Sequence, residues 1–186
     1  MSDIYFYQKT FSKNETLTPG EYESCNFSNL NFSNTQMNNY KFIDCEFDNC
    51  DWSMASIKQI VLRDIVFKNC KLLGLHFEEG SPFGLSFSFE NCQLSHSSFF
   101  KTKIKNTHFK NCKLHEADFT ESDLSNANFE NCDLKDAIFD RTILEKANFT
   151  TAINFSINPE TNKIKNARFS SLGLAGLLTQ YQIKIE

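Results

Sequence analysis

The stretch ADFTESDLSNANFENCDLKDAIF, from Ala117 to Phe139, decides the fold. In it Phe119, Leu124, Phe129, Leu134 and Phe139 stand five residues apart, and Ala117, Ser122, Ala127, Cys132 and Ala137 precede them by two. The other positions are mostly polar. A period of five matches neither the 3.6 of an α-helix nor the 2.0 of a flat strand. It suits a chain that turns a corner every five residues and sends one large and one small side chain inward per side.

The same spacing runs outward in both directions. Upstream, a large apolar residue recurs every fifth position from Phe27 to Phe77; downstream of a short interruption the series resumes, two residues out of phase, from Phe89 to Phe149. A second period fixes the number of sides. EFDNCDW, VFKNCKL, SFENCQL, HFKNCKL and NFENCDL recur every 20 residues apart from one step of 22, and twenty divided by five gives four sides per coil. Phe27, Phe47, Phe67, Phe89, Phe109, Phe129 and Phe149 then stack on one side, with Phe169 continuing it, which accounts for much of the excess of 20 phenylalanines. The expectation is an all-β parallel β-helix of about seven coils, rising about 4.8 Å per coil. Each coil buries its core only against the next, so both ends need caps.

The chain of 186 residues reads as a single domain: an N-terminal cap over 1–21, a solenoid over 22–169 interrupted by a loop at 78–86 and loosened at 154–162, and a C-terminal element over 170–186. YFYQKTF reads as a cap strand followed by the turn NETLTPG. EEGSPFGLS, Glu78 to Ser86, cannot keep the repeat geometry through Pro82. It is either a tolerated bulge or a protrusion that meets a partner, and an exposed Phe83 at its tip favours the second. SSLGLAGLLTQY places Leu174, Leu177, Leu178 and Tyr181 at helical spacing behind Ser170 or Ser171 as N-cap, and QIKIE, with Ile183 and Ile185, alternates as a strand. This ending covers the exposed edge of the last coil.

Composition excludes several kinds of activity. A net charge of −4 with no strongly basic region argues against binding nucleic acid through its phosphates. MSDIYFYQKTF does not read as a signal peptide, and no run of eighteen apolar residues exists, so the expected location is the cytoplasm, away from membranes. Cys50, Cys70, Cys92, Cys112 and Cys132 fall on one side, with Cys25 and Cys45 on its neighbour. Parallel in-register side chains keep their Cβ atoms about 4.8 Å apart, too far for a disulfide, so a buried ladder of free thiols is expected. Asn49, Asn69, Asn91, Asn111 and Asn131 mark a corner of each coil and read as turn residues, since asparagine tolerates left-handed backbone and bonds to nearby backbone. His76, His96, His108 and His115 fall at outward positions with no ligand spacing and no triad partners. No catalytic residue, metal site or cofactor is expected.

Charge is unevenly spread. Glu116, Asp118, Glu121, Asp123, Glu130, Asp133, Asp136, Asp140 and Glu145 face only Lys135 and Arg141, giving −7, and just before them Lys101, Lys103, Lys105, Lys110 and Lys113 give +5. The acidic band reads equally as a mimic of phosphates and as a solvated surface. Along the phenylalanine side Asp48, Lys68, Glu90, Lys110 and Glu130 alternate in sign, as a cross-coil ladder of ion pairs would.

The pentads from Ala117 to Phe139 resemble the pentapeptide-repeat family, whose consensus is A(D/N)LXX. The resemblance covers roughly residues 22–169 and implies a right-handed, quadrilateral β-helix. The single interruption, the segment INPETNKI at Ile157 to Ile164 and the helix-and-strand ending resemble the Qnr and McbG group. Members of that group bind DNA gyrase and topoisomerase IV, protect them from quinolone-type poisons and are pictured as DNA mimics. That resemblance implies a non-enzymatic protein with a protein partner, contacted through the nine acids and Phe83. It also implies a homodimer joined through Leu174, Leu177, Leu178, Tyr181, Ile183 and Ile185, where capping alone is the other reading. A scaffold whose partner is unrelated to topoisomerases is the alternative function.

Overall fold

The inward rings stack face to face along the whole chain. In the computed structural model, which describes residues 4–13 and 15–184, Phe11, Phe27, Phe47, Phe67, Phe89, Phe109, Phe129, Phe149 and Phe169 form one column with centroids 4.6 to 5.5 Å apart. That separation is the spacing of parallel strands, so backbone pairing and ring stacking impose the same rise. The strands behind this column form a nine-stranded parallel sheet, hence about eight turns where the period alone indicates about seven. The fold is a right-handed, four-sided parallel β-helix.

We call the phenylalanine side the first face. The second face carries Phe32, Trp52, Leu72, Leu94, Leu114 and Leu134 inward, and the third Met37, Ile57, Phe77, Phe99, Phe119 and Phe139. The fourth carries Tyr22, Phe42 and Leu62, then, past the interruption, Ile104, Leu124 and Leu144. First-face and third-face rings meet edge to face, as Phe109 meets Phe119 at 6.1 Å and 82°. Two columns of rings therefore fill the interior from opposite walls, and Cys, Ala, Ser and Thr fit between them.

Each face closes by a repeated pair of backbone bonds. The outward residue before the central one donates its N–H to the coil before and accepts at its C=O from the same coil. Asp51 donates to Leu30 O at 3.0 Å and accepts from Phe32 N at 2.7 Å; Asp123 donates to Thr102 O at 2.8 Å and accepts from Ile104 N at 3.0 Å. At most corners one residue takes positive φ, near +50 to +67°. Asn or Asp fills more than half of these positions, as the corner asparagines anticipate. Lys101, Glu116 and Arg141 occupy others, and the left-handed backbone there is held by bonds such as Glu116 N to Lys135 O at 2.9 Å. The corner asparagines also bond to one another, Asn111 Nδ2 donating to Asn91 Oδ1 at 3.0 Å.

Both ends depart from the sequence reading. Tyr5–Tyr7 pairs in parallel with Glu21–Glu23, and Thr10–Phe11 with Asn26–Ser28, offset by 16 residues instead of 20. The segment read as a separate cap strand thus supplies the fourth and first faces of one further, shortened layer, and Phe6 stacks on Tyr22 at 4.8 Å. At the other end the helix is 3-10, over Ser171–Leu177 and Thr179–Tyr181, with Ser170 Oγ accepting from Gly173 N at 3.1 Å. Three residues per turn brings Gly173 and Gly176 to one side, where a Cβ on Gly176 would strike the Phe155 carbonyl. Gln182–Lys184 form no strand, and the rest of the expected strand, including Ile185, lies outside the described residues.

All seven cysteines are free and buried. Each thiol points at backbone carbonyls, Cys70 Sγ lying 3.3 Å from Phe47 O and 3.1 Å from Lys68 O. Burial pushes the Cys45 thiol up to about 12, and contact with the neighbouring thiol together with burial raises Cys50 and Cys132.

Two outcomes follow from this interior. Phe109→Ala leaves a hole bounded by four rings and should cost about 3–5 kcal/mol, read as a lower denaturant midpoint. The seven thiols should stay unreactive toward a disulfide reagent in the native protein at mildly alkaline pH, and all should react in concentrated guanidinium.

Candidate protein-docking surface

A filled interior leaves only the outside for chemistry. Among the described residues no group of His, Cys, Asp and Glu is arranged to hold a metal ion, and no helix is long and apolar enough to cross a membrane. The histidines sit outside as the repeat places them, each tied to a neighbour: His115 Nε2 lies 2.8 Å from Asp133 Oδ2 and His96 Nδ1 3.4 Å from Glu116 Oε2.

The interruption opens a groove on the side of the rod. Parallel pairing on the fourth face runs through Lys41–Ile43 and Val61–Arg63, breaks where residues 81–86 leave the repeat path, and resumes with the bridge between Lys103 and Asp123. The loop stays bound to the coil before it: Ser81 N donates to Ile60 O at 2.8 Å, and Ile65 N to Ser86 O at 3.0 Å. Ser86 Oγ accepts from Asp64 N at 2.7 Å. On its other side it separates from the next coil, opening a groove of about 640 Å³ between Pro82–Leu85 and Phe100–Lys103. Phe83 is 85% exposed.

The nine acids do not gather on one face. Glu130 lies on the first face, Asp133 on the second, Asp118 and Asp140 on the third, Asp123 and Glu145 on the fourth, and Glu116, Asp136 and Glu121 at corners. Several already have counter-charges: Glu121 with Lys101 at 3.6 Å and Arg141 at 3.1 Å, Asp123 with Lys105 at 3.2 Å, Asp140 with Arg141 at 3.2 Å. Burial raises the Asp133 carboxyl, but hydrogen bonds from Asn154 and His115 more than offset it and hold it below the usual range. Among the described residues Asp118, Glu130, Asp136 and Glu145 form no ion pair, and Asp136 stacks beyond Glu116 along one corner. The first-face ladder is only partly made: Lys110 meets Glu90 at 2.8 Å, but Lys68 turns to Glu46 at 2.7 Å while Asp48 accepts from Asn69.

The C-terminal element carries a second apolar surface. Leu174, Tyr181 and Ile183 are exposed, Leu178 is half-buried, and Leu177 packs against the protein's own core. Tyr181 Oη donates to Glu160 at 2.6 Å. The reading of this element missed Leu172, 94% exposed, and Ile153, which borders the same hollow. Ile153 holds an outward pentad position where polar residues prevail, and that was the available signal.

A solid four-sided rod with a positive-φ residue at most of its corners is an architecture that this chain shares with pentapeptide-repeat proteins, which it resembles. Residues 85–169 match the family described as Pentapeptide repeat region. Two solved structures of QnrB1, described as a plasmid-mediated fluoroquinolone resistance protein, share the fold over almost their full length. One has a TM-score of 0.62, 14% identity and coverage of 99% of this chain and 98% of that one; the other has a TM-score of 0.64, 14% identity and coverage of 99% of both. No curated protein matches the sequence.

Proposed function

We propose that this chain is a non-enzymatic interaction protein that docks on a type II topoisomerase, DNA gyrase or topoisomerase IV, and shields it from quinolone-type poisons. The observation that carries the reading is the end-to-end likeness in fold to QnrB1, with its description as a fluoroquinolone resistance protein. The loop bearing Phe83 and the corner bearing Glu116 and Asp136, with Asp118 beside it, are the contact surfaces. The remaining acids act as a diffuse negative field that complements a DNA-binding protein. The working location is the cytoplasm.

The protein acts as a homodimer joined end to end through Leu172, Leu174 and Ile183, a surface too apolar to stand alone. Leu177 serves the cap, since it faces its own solenoid. A scaffold with a partner unrelated to topoisomerases is the second reading, favoured by the dispersal of the acids around all four faces.

Titration into a gyrase supercoiling reaction with a fluoroquinolone should restore product at micromolar protein; neither rescue nor inhibition over that range defeats the topoisomerase reading. In light scattering the protein should show twice its chain mass, and Leu172→Glu with Leu174→Glu should halve it. A wild-type monomer removes the dimer.

A further inference from the structure

Pro82 breaks the backbone bonding of the rod at one place. In the repeat register Ser81 stands where Val61 stands one coil earlier, since Ser81 N donates to Ile60 O as Val61 N does to Tyr40 O. Pro82 therefore occupies the central position of the fourth face, whose N–H elsewhere donates to the outward residue of the next coil, as Ile104 N does to Asp123 O at 3.0 Å. Proline has no N–H to give. The residue awaiting it is Lys103, and among the described residues neither its N–H nor its C=O has a partner in the chain. Asp123, Asp51 and Lys113, which hold the same position on other sides and coils, use both groups toward the coil before.

The open pair borders the groove described above, whose walls are Pro82, Phe83 and Leu85 on the loop and Phe100 on the next coil. Lys103 is exposed and makes no ion pair among the described residues, and Lys101 Nζ lies over the Phe100 ring at 4.7 Å. Glu78 also lines the groove. One wall thus offers a donor and an acceptor at the spacing of a parallel strand, beside aromatic surface and two lysines.

We infer that this groove takes a short extended segment of a partner protein, with an apolar side chain against Phe83 and a carboxylate toward Lys101 and Lys103. The segment adds as a parallel strand, donating to Lys103 C=O the N–H that Pro82 lacks and accepting from Lys103 N–H, which the departing loop leaves without a carbonyl. The inference rests on the reading that this chain works by docking on a protein, and it names the kind of segment recognised.

The test is an NMR titration of the full chain with the capped peptide acetyl-Asp-Val-Phe-Val-Asp-amide. In the free protein the Lys103 amide should exchange with solvent far faster than that of Asp123. Peptide should shift it saturably and slow its exchange about tenfold, the worth of one hydrogen bond. Phe83→Ala and Lys103→Glu, both at exposed positions, should each weaken binding about tenfold, and a peptide with Lys in place of Asp should not bind. A protected Lys103 amide in the free protein overturns the inference, as does no shift at millimolar peptide, equal binding of the lysine peptide, or shifts that spare Lys103. No topoisomerase is present in this titration, so a failed supercoiling assay leaves its result standing, and the reverse holds.

Discussion

Everything in this molecule depends on vertical register. A ring column with one member per coil is compatible with parallel backbone pairing only if each strand meets the next in register, because a slip of one residue would turn the inward set outward. The chain holds that register three times over: in the rings, in the paired backbone bonds and in the corner amides from Asn49 to Asn131. Charge contributes little. The ion pairs lie on exposed side chains, where each is worth a fraction of a kcal/mol.

The constraint also explains what the sequence discloses and what it conceals. Periods of five and twenty are direct images of side length and coil length, so Phe109 or Leu134 could be placed in the core by counting. The corner asparagines and the unpaired cysteines were legible for the same reason. The N-terminal layer was not, because a 16-residue turn keeps the stacking of Phe11 on Phe27 while breaking the count. The 3-10 geometry of Ser171–Leu177 follows from the approach of glycines to Phe155, a tertiary contact that spacing alone does not reveal. A sum of charges between Glu116 and Glu145 likewise says nothing of direction, and the fold wraps them round the rod.

Function in such a fold has to be assembled from departures. Regular pentads present a nearly uniform surface, whereas the loop through Pro82 and the glycine-bearing C-terminal turn expose apolar groups and open hollows. The two sites differ in kind. At the C-terminus the last coil is covered by a short helix, so its outward leucines are the remaining feature; at the loop a coil in mid-rod is left partly uncovered. The first suits a partner that continues the axis, the second one that approaches from the side.

The seven inward thiols carry one further consequence. Folded, the protein is indifferent to the redox poise around it, since no oxidant reaches sulfur between stacked rings. Unfolded, the same chain offers all seven at once, and any bridge formed then would join residues that the solenoid must keep parallel and apart. Biogenesis is therefore a race between coil closure and oxidation, and the yield of refolding depends on reductant although the stability of the finished rod does not.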